Sequence, residues 1–417
     1  MGQYIIEGGY RLGGSVRIQG AKNSALPILA AAVAVGKPCV LNNCPDLTDI
    51  DSTIKILRSL GCTVQRNRTS IMIDSSDISS NVISDCLMRE MRSSIIFMGS
   101  LITRCGEAEL TAPGGCDIGL RPYDLHISAL RKLGVDISEI CGKICCSCRR
   151  VSGGKINLSF PSVGATENII LASVRAAGPT TIINAAREPE IVDLARFLNS
   201  CGARIMGAGE SVIRIDGVEN LHGTQYNIMP DRIVACTYMT AAAVTGSDIV
   251  IEDVVPNHLS TVIGCFEQAG CMIETAGNRM RFAAPKRLKS MDTVRTMPYP
   301  GFPTDCQSLI MSAACVADGV TVISENIFEN RFRHVSELNR MGADIKVQDK
   351  IAVVNGVCRL QGASVCATDL RAGAALLTAG LSAEGTTSVS NIHYIDRGYD
   401  SLCENLTRMG AVIKRKE

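Results

Sequence analysis

The sequence predicts an α/β protein built inside out: six repeated units in two barrel-like lobes of three, with helices buried and sheets outside. Three observations carry this reading. Glycines recur at Gly61, Gly134, Gly202, Gly270, Gly342 and Gly410, spaced 68 to 73 residues apart. Each glycine closes an amphipathic stretch and is followed three residues later by Val64, Ile137, Ile205, Ile273, Ile345 or Ile413. Upstream in the units stand Ala-rich stretches that are apolar nearly all round, so they belong in an interior.

Each unit reads as helix, strand, helix, then two strands. The first helix is the apolar one, as in SALPILAAAVAVG (24–36), ENIILASVRAAG (167–178), ACTYMTAAAVTG (235–246) and AGAALLTAGLSAEG (372–385). A strand such as TTII (180–183) or VTVI (320–323) follows. The second helix shows a stripe at one, four, seven and eleven residues before its glycine. That gives Leu60, Leu57, Ile54 and Ile50 in one unit, and Met409, Leu406, Cys403 and Tyr399 in the last. Only the fifth unit breaks it, at Arg331. The glycine reads as a C-cap. The β-branched residue beyond it opens the first strand of the closing pair. Unit count puts the lobe boundary near Asn227 to Pro230, with a cleft expected between the lobes.

Composition narrows the function. With 42 basic against 41 acidic residues, the net charge is +1, so bulk attraction to nucleic acid or an anionic membrane is excluded. Aromatic residues are 4% of the chain and tryptophan is absent, which argues against base-stacking platforms. The longest apolar run, Ala25 to Val35, is too short to span a bilayer and contains Pro27. No signal-peptide pattern opens the sequence, so the expected address is cytoplasmic. Nineteen cysteines form an odd set in a long chain, unlike a disulfide scaffold. The cluster at Cys141, Cys145, Cys146 and Cys148 does not have zinc-knuckle spacing. It reads as two strands around a Gly142–Lys143 turn, with Ile144, Cys146 and Cys148 on one face. No metal site is expected.

The unusual polar residues fall at equivalent loops, each feeding a helix N-terminus where free N–H groups favour anions. Before the buried helices stand Lys22-Asn23, Arg92, Ser162-Val163-Gly164, Asp231-Arg232, Asp305 and Asp369-Leu370-Arg371. Before the amphipathic ones stand PGGCDIGLRP (113–122), AAREPE (185–190) and IDRG (395–398). Lys22, Arg92, Arg121, Arg371 and Arg397 together point to a substrate with several negative charges. Pro113, Gly114 and Gly115 form a pliable loop with Cys116 at its tip, where a thiol can serve as acid, nucleophile or neither. The run GSVRIQGAKNS lacks the spacing of a phosphate-binding P-loop.

Eight segments carry a family resemblance: GAKNSALPILAA (20–31), PGGCDIGLRPYDLHISALRKLG (113–134), PSVGATENI (161–169), NAAREPEIVDLARFLNSCGA (184–203), FPTD (302–305), ENRFRHVSELNRMGA (329–343), ATDLRAGA (367–374) and HYIDRGYD (393–400). The chain resembles, end to end, the enolpyruvyl transferases that act on UDP-N-acetylglucosamine. The resemblance implies lobes of residues 22–229 and of residues 1–21 with 230–417. It implies transfer of the enolpyruvyl group of phosphoenolpyruvate to the 3-hydroxyl of UDP-N-acetylglucosamine through a tetrahedral ketal. Phosphate is released, and this is the first committed step of peptidoglycan precursor synthesis. Neither a cofactor nor an obligatory protein partner is implied.

The same resemblance assigns roles. Lys22, Arg121 and Arg397 would hold phosphoenolpyruvate, with Asn23 and Arg371 assisting. Asn23 and Asp305 would contact the sugar, Asp305 taking the hydroxyl proton, and Cys116 would protonate the methylene carbon. Arg92, Arg121, Pro122, Tyr123, Asp124, Leu125, Phe160, Pro161, Ser162, Val163, Gly164 and Ile327 would line the nucleotide-sugar site. The family often has a basic residue where this chain has Phe160, so diphosphate contact there would fall to backbone N–H groups of Ser162 and Val163. The alternatives are the sister transferase acting on shikimate 3-phosphate, a catalytically idle regulatory paralogue, and a purely structural solenoid. The Cys116 loop argues against the first, intact Lys22, Cys116, Asp305 and Arg397 against the second, and the clustered cations against the third.

Overall fold

The computed structural model describes residues 2–114 and 123–416. These form two bodies, one of residues 20–229 and one of residues 2–19 with 230–416. Gly20 and Ala21 lie with the former. There, Ala21 N–H donates to the Met229 carbonyl (2.7 Å), and a Cβ on Gly20 would stand 1.7 Å from the Asn43 carbonyl oxygen.

Each body has three buried helices packed on one another: Lys22–Val35, Phe97–Cys105 and Val163–Ser173 in one, Arg232–Thr245, Thr304–Ala314 and Leu370–Ser382 in the other. In Lys22–Val35 every residue but Asn23 is buried, which only a nearly uniformly apolar helix tolerates. Among the described residues the sheets are six separate open sheets rather than closed barrels. Five have four strands in one order, for example Gln225–Asn227, Cys39–Asn42, Ser70–Asp74, Thr63–Asn67. The first strand of that order is a short edge, parallel to its neighbour. The sixth sheet has three strands, and a parallel bridge from Val82 to Glu109 takes the edge position. The periodicity did not reveal these edge strands.

The six repeat glycines all have positive φ, between 85° and 104°. The residue after each donates back to the carbonyl five positions earlier, as Cys62 to Leu57 (3.0 Å) and Ala411 to Leu406 (3.0 Å) do. This is the Schellman cap, whose left-handed residue is least strained as glycine. The cysteine-rich segment is a hairpin of Asp136–Ile140 and Lys143–Ser147. Its turn is Cys141–Gly142, one residue earlier than expected. Both have positive φ (52° and 78°), the twist a two-residue hairpin needs.

Two edge strands do not pair with the unit whose helix follows them in the chain. Ser15–Arg17 precedes the Lys22 helix in the chain, yet pairs with Asp248–Glu252. Gln225–Asn227 precedes the Arg232 helix, yet pairs with Cys39–Asn42. The strand Gln3–Glu7 sits between Thr386–Ser390 and Val412–Lys416, so the start of the chain completes the last unit.

Candidate active site

In the body of residues 20–229, Lys22 is the first residue of its buried helix. Its Nζ lies 3.0 Å from Oδ2 of the buried Asp49, in the first turn of Thr48–Ser59. Pro27 has no N–H, so the Asn23 carbonyl lacks its usual donor four residues on. Asn23 itself is half-buried. The helix start is fixed by the buried Asp193, which accepts from Ser24 Oγ, Tyr226 Oη (2.6 Å) and Met229 N–H (3.2 Å). Burial raises the Asp193 carboxyl above its ordinary value while these three donors pull the other way.

Arg92 opens a short 3-10 turn leading into Phe97–Cys105. The structure brings it beside His126, whose pKa is pushed down to about 4 by burial and then by the Arg92 charge. Asn168 fixes that imidazole. Its Nδ2 donates to the Ile95 carbonyl (3.0 Å) and lies 2.7 Å from His126 Nδ1, while its Oδ1 accepts from Gly99 N–H. With both Nδ2 hydrogens so used, Nδ1 is the acceptor and the ring proton sits on Nε2. A Cβ on Gly164 would meet the ring at 3.0 Å, so the start of Val163–Ser173 packs on the same histidine. Ser162 caps that helix, accepting from Ala165 N–H (3.3 Å). Pro161, Val163 and Gly164 are half-buried and Phe160 is exposed. Asp124 begins the helix Asp124–Lys132 and is exposed, while Tyr123 and Leu125 are half-buried. Cys116, Arg121 and Pro122 lie outside the described residues.

One buried group here has a measurable signature. Burial, then the charges of Glu190 and Glu188, push the Glu167 carboxyl well above the usual carboxylate range. Above the ordinary glutamate pKa of about 4.3, folding must therefore take up a proton at Glu167, and stability is lost as pH rises. Glu167→Gln removes that dependence. We expect this variant to melt above the parent at alkaline pH, with the gap closing on acidification. A gap that widens toward acid would contradict the assignment.

In the other body, Asp305 occupies the first turn of Thr304–Ala314 between two buried guanidiniums. Arg331 Nη2 is 2.8 Å from Oδ1 and Arg371 Nη2 is 3.7 Å from Oδ2. Asp369 caps Leu370–Ser382, accepting from Arg371 and Ala372 N–H (2.9 and 3.1 Å), and faces Arg331 at 3.8 Å. Arg371 also donates to Tyr399 Oη (3.4 Å), itself 2.8 Å from Thr237 Oγ1. Burial opposes the Arg371 charge, but Asp305, Tyr399 and Asp231 outweigh it and raise its pKa. Ile327 is held by Glu325, which accepts from Ile327 and Phe328 N–H and from Thr304 Oγ1. Arg397 ends a 3-10 turn of residues Ile392–Arg397. Gln19 fastens the residues after it, donating to the Gly398 carbonyl (3.3 Å) and accepting from Asp400 N–H (2.7 Å). Among the described residues, no three His, Cys, Asp or Glu side chains are grouped to hold a metal.

Residues 6–406 match the family model described as EPSP synthase (3-phosphoshikimate 1-carboxyvinyltransferase). The chain is 51% identical to UDP-N-acetylglucosamine 1-carboxyvinyltransferase 2 of Caldanaerobacter subterraneus subsp. tengcongensis, with all of both chains covered. It is 46% identical to UDP-N-acetylglucosamine 1-carboxyvinyltransferase of Geobacter metallireducens, covering 100% of this chain and 99% of the other. The chain belongs to the enolpyruvyl transferase family. Among solved structures, the enolpyruvyl transferase NikO of Streptomyces tendae superposes with a TM-score of 0.90 at 26% identity, covering 100% of this chain and 99% of that one.

Sequence reasoning passed over several residues that hold this enolpyruvyl transferase's candidate groups: Asp49, His126, Asp193, Glu325 and Asp369's contact with Arg331. Asp193 and Asp369 are brought from other units, and Asp49, His126 and Glu325 from another element of the same unit, which no local spacing announces. Arg331 did leave a trace, as the one charged residue in an otherwise apolar stripe. It is 3% exposed because two carboxylates receive it.

Proposed function

We propose that the protein transfers the enolpyruvyl group of phosphoenolpyruvate to the 3-hydroxyl of UDP-N-acetylglucosamine, the first committed step of peptidoglycan precursor synthesis. The observation that carries this is full-length likeness, at 46 and 51% identity, to two proteins named for that activity. Cys116 donates a proton to C3 of phosphoenolpyruvate, which makes C2 electrophilic, while Asp305 takes the proton of the attacking hydroxyl. The C2–O bond forms a tetrahedral ketal that keeps phosphate and carboxylate. Loss of the C3 proton and cleavage of the C2–O bond to phosphate restore the double bond. Lys22, Arg121 and Arg397 bind the anionic groups. The 3.7 Å approach of Arg371 to Asp305 supports its working through that carboxylate. Asn23, Arg92, residues 121–125, residues 160–164 and Ile327 line the nucleotide-sugar site.

No helix among the described residues is long and apolar enough to cross a membrane. We place the reaction in the cytoplasm, where both substrates are made. The test is phosphate release from phosphoenolpyruvate with UDP-N-acetylglucosamine or, separately, shikimate 3-phosphate. Release only with the nucleotide sugar is expected, undiminished by chelator. Release with shikimate 3-phosphate alone would overturn the acceptor.

A further inference from the structure

We propose that the body of residues 20–229 carries a second anion site, for a small phosphate-bearing metabolite, at the opposite end of its buried helices from Arg92 and Ser162. A cavity of about 750 Å³ opens there, lined by the ends of Phe97–Cys105 and Val163–Ser173 and by residues 147–151. That volume lies within the range of small-molecule sites. Helix Val163–Ser173 has 11 residues, so at 1.5 Å per residue the cavity is about 16 Å from the Ser162 cap. A ligand in it is not a substrate in the site described above.

Four arginines line the cavity: Arg104, Arg149, Arg150 and Arg175. Its three carboxylates, Glu107, Asp136 and Glu219, are all exposed, whereas Arg175 is half-buried, so the inner wall is cationic there; Arg104, also half-buried, turns its guanidinium to the Ser76 carbonyl (2.6 Å). None of the four guanidiniums is ion-paired with a carboxylate among the described residues. Arg150 and Arg175 are oriented through Nε, which donates to the Arg175 and Glu219 carbonyls (3.3 and 3.2 Å). That leaves their paired Nη donors for a ligand, the fork that suits phosphate oxygens. Helix C-termini would ordinarily repel an anion. Here Thr103 Oγ1 donates to the Leu171 and Ala172 carbonyls (2.7 and 2.9 Å), and Gly106 N–H caps Ile102 (2.9 Å).

Cys105 and Cys148 also line the cavity and report its occupancy. Pyrophosphate, as the probe, should slow maleimide labelling of both thiols, read by peptide mass spectrometry on the full chain. In Arg150→Gln/Arg175→Gln, half-protection should need at least about tenfold more pyrophosphate, since each charge-assisted bond lost is worth more than a kcal/mol. Arg204→Gln/Arg295→Gln, at two exposed arginines elsewhere, controls for net charge and should protect like the parent. The exposed Arg149→Gln should weaken protection in the same direction, and it decides the matter if the double variant melts early. Labelling unchanged by pyrophosphate, or equal protection in the double variant and parent, overturns the site.

Discussion

Replacing Asp305 by asparagine is expected to lower kcat by about 10²- to 10⁴-fold, the usual worth of a positioned general base. Asparagine keeps the shape of the side chain and can still accept from Arg331, 2.8 Å away. It cannot take the hydroxyl proton. The loss should therefore fall on kcat, with a much smaller change in the KM for UDP-N-acetylglucosamine. Because the change also leaves Arg331 and Arg371 without their shared carboxylate, a melting curve belongs beside the kinetics. Steady-state rates that fall by less than tenfold, in a variant that melts like the parent, would remove Asp305 from the chemistry.

A loss of similar size is expected for Cys116→Ser. A thiol with an ordinary pKa of about 8.5 is mostly protonated at neutral pH and still a usable acid. A serine hydroxyl is far weaker. Cys116→Asp should retain activity, since a carboxylic acid can also deliver a proton. The family resemblance adds that the epoxide fosfomycin should alkylate Cys116, most readily with UDP-N-acetylglucosamine bound. Both variants should escape that label. Mass spectrometry decides: a fosfomycin adduct on another cysteine, or none on Cys116 in the parent, rejects this role.

What could be read from the sequence was whatever repeats or alternates. The six glycines announced their caps because a left-handed residue after an amphipathic helix leaves a periodic mark. The Ala-rich helices announced their burial because they have no polar face. Three-residue edge strands such as Ser15–Arg17 and Gln225–Asn227 are too short to show a period. Their pairing was invisible, since it is decided by partners more than 180 residues away in the chain. The candidate site divides the same way. Lys22, Asp305 and Arg371 stand where helix starts place them. Their partners, Asp49, Arg331 and Tyr399, are chosen by packing, and only Arg331 disturbed a pattern enough to be noticed.

Strand pairing also sets an order of events during synthesis. Residues 20–229 contain every strand of their own three sheets, so that body can close once Gln225–Asn227 has left the ribosome. The remainder cannot follow suit. Its last sheet needs Gln3–Glu7 beside Val412–Lys416, which lies far downstream in the chain. Gln3–Glu7 thus waits unpaired until Thr386–Ser390 and Val412–Lys416 are made, then enters as an inner strand with neighbours on both sides. A cut after residue 229 would leave one self-sufficient fragment and one missing the centre of a sheet.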